Sequence, residues 1–231
     1  MREICLDTET TGLDPRQGHK VIEIACIELI NRVKTDNHFH CYINPRRDVP
    51  QEAFAVHGLS TDFLKDKPIF DHIAYKFIDF IKDSNIIAHN ANFDVKFLNF
   101  ELQLVGIKPL EKSRIIDSLA IARKKFPGSP ASLDALCKRF NIDLSKRSLH
   151  GALLDTQLLC DVYIELMGGA QEDFKFDNNK LKNSQIDTLI NLHNISNTII
   201  RTKNSTPNNE DLSKHKEFIL SNFSTNLWQY N

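Results

Sequence analysis

Residues 3 to 9 read EICLDTE, an apolar run that closes on two carboxylates, Asp7 and Glu9, separated by one residue. In an extended strand, side chains i and i+2 leave on the same side, so the two acids are presented together where desolvating a charge is costly. Two further acids break the apolar pattern in the same way. A helix expected from Phe93 to Val105 carries Asp94 in register with Phe97, Leu98, Leu102 and Val105, and a long helix ending at Met167 carries Asp155 in register with Leu159, Val162 and Leu166. Both acids thus sit on a core-facing stripe near a helix start. Singly, such an acid can be a cap, a turn residue or a satisfied buried carboxylate. Four of them meeting in one low-dielectric place need cations, and hard divalent ions such as Mg2+ or Mn2+ suit ligation by carboxylates alone. Two such ions about 4 Å apart activate water and stabilise the leaving oxygen in phosphodiester hydrolysis.

That chemistry also needs a base, and LHGALLD supplies His150 five residues before Asp155. On one continuous helix, five residues turn the chain by about 140°, so the two could not share a face. The helix is therefore expected to begin at about Gly151, with His150 projecting from the preceding loop toward water near the acids. A histidine suits proton transfer near neutral pH. A lone histidine is more often structural; beside four acids the catalytic reading is preferred.

Strand character appears in EICL, VIEIACIEL, HFHCYIN and NIIAHN, the second and third with period-two alternation. Helical spacing runs from Ile69 to Lys82 after Pro68, and further helices fit Ser118 to Lys125 and Ser132 to Phe140; Gly168 and Gly169 stop the last one. The order of elements implies an α/β layer architecture.

The 231 residues, 41% hydrophobic and 26% charged, suit a soluble globular protein. Five cysteines in apolar segments, none in a CxxC pair, point to reduced thiols in a cytoplasmic protein and away from zinc or disulfides. Neither a signal-peptide core nor an apolar membrane span is evident. A net charge of −1 excludes a basic blanket over the whole chain, although Lys108 to Arg147 holds ten Lys or Arg against four Asp or Glu. That run reads either as a solvated face or as a phosphate-facing surface. Composition shifts after Gly169: residues 171 to 231 hold 12 Asn, and TKNSTPNNED reads as a linker. A domain boundary is expected near residue 170. Beyond the linker, a helix capped by Asn209 would align Leu212, Ile219 and Phe223, a stripe that must dock on a partner or on the first domain.

Three segments in order, LDTETTGL (6 to 13), HNANFDVKFL (89 to 98) and HGALLDTQLL (150 to 159), resemble the motifs of the DnaQ-like 3′→5′ exonucleases, in the DEDD subclass that carries a histidine. The resemblance implies a ribonuclease H-like α/β fold, a mixed five-stranded sheet flanked by helices, with a flexible C-terminal tail. It implies Asp7, Glu9, Asp94 and Asp155 as catalytic acids holding two Mg2+ or Mn2+ ions, and His150 as general base. Within the family the chain is most similar to the proofreading epsilon subunits of bacterial DNA polymerase III. By that likeness EAFAVHGLS is a nucleotide-contacting loop that places Glu52 and His57 on the substrate, and Thr10, Thr11 and Gly12 approach the 3′ nucleotide beside Asp7, Glu9 and Asp155. DSLAIARKKFPG and SLDALCKRF are similar as well, while His89 and Phe93 are divided between core and substrate roles. QEDFKF resembles a sliding-clamp-binding motif anchored by Gln171, Phe174 and Phe176, and the end of the chain resembles the segment that holds the polymerase alpha subunit.

The implied organisation is an exonuclease domain over residues 1–170, a clamp motif and linker over 171–208 and a polymerase-binding tail over 209–231. The implied activity is release of nucleoside 5′-monophosphates from the 3′ end of single-stranded or mispaired DNA; a small theta-like third subunit is left open. Three other functions share parts of this pattern: a free-standing exonuclease that trims RNA or oligonucleotides, a replication or repair binding module without catalysis, and a structural polymerase accessory that has lost activity.

Overall fold

The computed structural model describes residues 1–145, 147, 149–169 and 209–222. The chain divides into two units, Met1–Asp173 and Phe174–Asn231. The first is built on five strands: β1 (Arg2–Thr10), β2 (Val21–Ile30), β3 (Val33–Tyr42), β4 (Asn85–Ala88) and β5 (Ile115–Asp117), in the order β3-β2-β1-β4-β5. The first three form an antiparallel meander, and β4 and β5 add parallel to β1. Asn31 and Arg32, both with positive φ, make the two-residue turn between β2 and β3, the backbone twist that tight hairpins favour. Parallel neighbours need crossovers. The chain reaches β4 through α1 (Gln51–His57), α2 (Thr61–Leu64) and α3 (Phe70–Ile81), and reaches β5 through α4 (Asn92–Leu104). Then follow α5 (Ser118–Lys125), α6 (Leu133–Arg139) and α7 (Ala152–Leu166).

The sheet is covered on both faces. On one, Ile4 and Leu6 of β1 and Ile24 and Cys26 of β2 pack with Phe77 and Ile81 of α3 and with Phe97, Leu98 and Leu102 of α4. On the other, Cys5, Ile27, Leu29 and Ile87 meet Leu159, Cys160 and Tyr163 of α7. Each such side chain contributes about 1.5–3 kcal/mol when fully buried. The alternation expected for β2 is therefore absent: it lies between two layers, and only its last residues reach water. All five cysteines are unpaired, and all but Cys41 are buried.

Two further expectations are corrected. The segment EAFAVHGLS, expected as a loop, forms α1, which opens at Pro50 and closes at Gly58 with φ 71, followed by α2 with Ser60 as its cap. The fifth strand is the three-residue β5, absent from the four segments with strand character. Helix ends otherwise fall within two residues of expectation, and the last helix of the first unit starts at Ala152 with Gly151 before it. In the second unit the described residues form α8 (Asn209–Asn222), and Asn209, expected as its cap, is the first of them. Leu212 and Phe218 are exposed there. Gln171, Phe174, Phe176 and Phe223 lie outside the described residues. Among the described residues no helix is long and apolar enough to cross a membrane.

One feature of the sheet opens the molecule. β4 pairs with β1 only over Glu3–Cys5, then turns away into α4, while β1 runs on to Thr10. The far end of β1 is left without a strand on that flank, and a bulge between Glu9 and Thr10 bends it further. Sheets with parallel strands bind ligands at such carboxyl ends.

Candidate active site

Four acids reach this opening from both faces of the sheet. Asp7 and Glu9 stand on the α7 side of β1, and Asp155 rises from the first turn of α7. Asp94, in the first turn of α4, comes from the other layer and accepts a hydrogen bond from the Thr8 hydroxyl at 2.6 Å. Glu9, His150 and Asp155 offer ligand atoms that all lie within 4.8 Å of one another. Asp7 lines the same cleft of about 240 Å³ as His150 and Asp155. The crowding shows in the acidities. Burial, then the charges of Asp94, Glu9 and Asp155, push the Asp7 carboxyl well above its ordinary value. Burial followed by Glu23 and Asp155 pushes Glu9 up to about 8, and burial raises Asp94 to about 7 against the opposing Thr8 hydrogen bond. Carboxylates held this way call for added positive charge, and a donor set of oxygens with one imidazole fits hard divalent cations.

Part of that charge is built in, and the sequence did not reveal it. Arg147 grips Asp155 with both prongs of its guanidinium, Nε to Oδ1 at 2.6 Å and Nη2 to Oδ2 at 2.7 Å, while Nη1 donates to Asp134. Nη2 also lies 2.8 Å from His150 Nδ1. His150 projects from the loop before α7, its Nδ1 3.1 Å from Asp155 Oδ2 and its backbone N–H donating to the Val56 carbonyl at 3.1 Å. Glu23 was missed too. It is buried opposite Glu9 on β2, accepts from His40 Nε2 at 2.7 Å, and takes the Ala152 N–H at 3.2 Å, which fixes the start of α7 and hence Asp155. Its signal was a charge inside the apolar run VIEIACI.

The exonuclease family model matches residues 4–163. The chain belongs to this family. It is 54% identical to the DNA polymerase III subunit epsilon of Rickettsia conorii over 95% of each chain. To the DNA polymerase III subunit epsilon of Escherichia coli it is 49% identical, over 73% of this chain and 72% of that one. Among solved structures it is similar to the nuclease domain of 3'hExo, a DEDDh family member, bound to rAMP: the TM-score is 0.64 over 74% of this chain and 94% of that one, at 20% identity, a likeness of fold. The mixed five-stranded ribonuclease H-like architecture expected from the motifs is the one observed.

Beside the acids of this exonuclease lies a second cleft of about 580 Å³, lined by Thr10, Thr11 and Gly12, by Glu52 and His57, and by Phe93 and Val56. Every residue expected on the substrate side is at one of the two clefts. A side chain on Gly12 would start 2.3 Å from the His19 ring, so any larger residue there would have to push that ring aside. His57 is buried, accepts the Leu59 N–H on Nδ1, and has its pKa lowered by burial. Phe93 does both of the things expected of it: it packs on the core and lines the cleft. His89 lines the acid cleft, its Nδ1 2.9 Å from the Ser118 hydroxyl. The basic run from Lys108 to Arg147 is partly spent inside the protein. Arg114 donates to the carbonyls of Ser84 and Lys82, Lys125 donates to that of Leu166, Arg139 covers the Phe126 ring, and Arg147 serves the acids.

Proposed function

We propose that this exonuclease is the proofreading subunit of a DNA polymerase III, removing nucleoside 5′-monophosphates from mispaired 3′ ends of DNA. The observation that carries the proposal is the meeting of Glu9, Asp155 and His150 within 4.8 Å beside a cleft of nucleotide size. The epsilon-subunit relatives support it. Asp7, Glu9, Asp94 and Asp155 would hold two divalent cations, Mg2+ or Mn2+. When bound, such ions stabilise negative charge on the scissile phosphate and lower the pKa of the attacking water.

His150 takes a proton from the attacking water as its oxygen bonds to phosphorus; the bond to the 3′ oxygen breaks, that oxygen takes up a proton from solvent, and the shortened strand keeps a 3′ hydroxyl. Thr10, Thr11 and Gly12 back the terminal nucleotide, with Glu52 and His57 on the opposite wall. A mispaired end costs less to unstack into this cleft than a paired one, so fraying supplies the selection and base-specific contacts are not needed. Residues 1–170 are the exonuclease, 171–208 the linker with Gln171, Phe174 and Phe176 as anchors for the beta sliding clamp, and 209–231 the tail that holds the polymerase alpha subunit. Tethering raises the local concentration of exonuclease at the primer end, which a nearly neutral domain would otherwise bind weakly. A replisome subunit of this kind works in the cytoplasm.

The test is metal-dependent release of mononucleotides from single-stranded DNA. Asp7→Ala and His150→Ala should each abolish most of it, and activity within tenfold of the parent overturns the assignment. For the tail, deleting residues 209–231 should end co-purification with the alpha subunit and deleting 1–170 should not.

A further inference from the structure

Arg147 occupies a position that the chemistry above leaves unexplained. Its side chain is 9% exposed, wedged between Asp155, itself 6% exposed, and Asp134, which is half open to water. A guanidinium carries donors only. Its Nη2 is 2.8 Å from His150 Nδ1, a contact that works only if Nδ1 offers a lone pair, which leaves the ring proton on Nε2. The competing contact, Nδ1 to Asp155 Oδ2 at 3.1 Å, needs the proton on Nδ1. Both cannot be satisfied at once. While Arg147 holds Nδ1, the histidine has no free nitrogen to take a proton from water.

We propose that Arg147 is a resident counter-cation that competes with divalent metal for Asp155 and, until displaced, holds His150 in the tautomer that cannot act as a base. The inference rests on the proposed metal-site role of the four acids. Asp134 provides the landing place: Arg147 already touches it and keeps that partner when it lets go of Asp155. Metal entry and readiness of the base then become one event, because the same guanidinium blocks both. Arg147 is a positioning residue, acting through Asp155 and His150.

The experiment measures binding instead of turnover. The full chain is titrated with Mn2+, free Mn2+ is followed by electron paramagnetic resonance, and the Mn2+-induced rise in Tm is recorded for the parent, Arg147→Gln and Arg147→Lys. Removing a fixed positive charge a few ångströms from the ion should tighten Mn2+ on the order of tenfold in Arg147→Gln. Arg147→Lys, which keeps the charge and loses the fork, should fall between the two. Equal or weaker Mn2+ binding by both variants overturns the proposal. Should the Gln variant fail to fold, nitrogen-15 spectra of histidine-labelled parent protein decide: His150 should carry its proton on Nε2 in EDTA and on Nδ1 with Mg2+, and a proton on Nδ1 in EDTA refutes the inference. Absence of Mn2+ binding by the parent and by both variants refutes both this proposal and the metal-site role of the acids, whereas a parent that binds it with unimproved variants removes only the role of Arg147.

Discussion

Glu101 and Asp94 lie at comparable depth, 4% and 3% exposed, on the same helix, yet they are kept in opposite ways. Glu101 meets Lys20 Nζ at 3.1 Å and the Val21 N–H at 3.4 Å; burial raises its pKa, and Lys20 pulls it back. Asp94 has the Thr8 hydroxyl and a neighbourhood of other carboxylates. The Lys20 corner is a finished structure, with the cation supplied by the chain. The cleft is unfinished, since among the described residues one guanidinium faces four acids. A buried charge matched by the chain can be kept without outside help, and a set left under-matched is a demand for something from solution.

The largest effect that would test this contrast is catalytic. His150→Ala should lower kcat by about 10²- to 10⁴-fold, the usual contribution of a general base, with little change in Tm. In a nucleotide-release assay, a loss below tenfold would move the base elsewhere. Gly12→Val comes next: pushing the His19 ring out of the cleft wall should cost about 10- to 100-fold in kcat/KM, because reacting groups tolerate little misplacement. Steady-state kinetics would show an unchanged value if the wall takes no part.

Stability then separates the two regions by sign. Glu101→Gln should destabilise by about 1–3 kcal/mol in urea melts, since it strips a buried hydrogen-bonded pair. Asp7→Asn should raise Tm in EDTA, because it removes one of several repelling carboxylates; equal signs for the two substitutions would erase the distinction. The smallest effect is a slope. Glu9 moves from 4.5 to about 8 and Asp94 from 3.8 to about 7 on folding, so the folded chain keeps protons that the unfolded chain has lost. Their stabilisation is complete below about pH 4 and is lost as pH rises toward 8. Tm in EDTA should therefore fall across that window and fall less with Mg2+, whereas parallel curves would show that cations do not relieve these acids.

Much of this was legible because the acids sit where packing forbids them. Asp94 and Asp155 stood out against inward-facing Phe97, Leu98, Leu159 and Val162, and the turn between His150 and Asp155 fixed the start of α7. Shorter elements were not legible. Three residues of β5 carry no period, and the seven of α1 give fewer than two turns of pattern, although Pro50 and Gly58 bracket them. β2 read as alternating only because Glu23 and Glu28 interrupt its apolar residues at intervals. Arg147 was hidden for a different reason: in a run rich in Lys and Arg, nothing local distinguishes a cation that faces inward from those in water.

The backbone bond from His150 to Val56 ties two walls that are almost a hundred residues apart in sequence. Leu149 reinforces it by lying against Gly58, where a side chain would start 2.8 Å from the Leu149 methyl. The imidazole thus does not hang on an independent arm: the strap that carries it is stitched to the helix lining the neighbouring groove. That helix and the strap therefore cannot part without breaking the His150–Val56 bond.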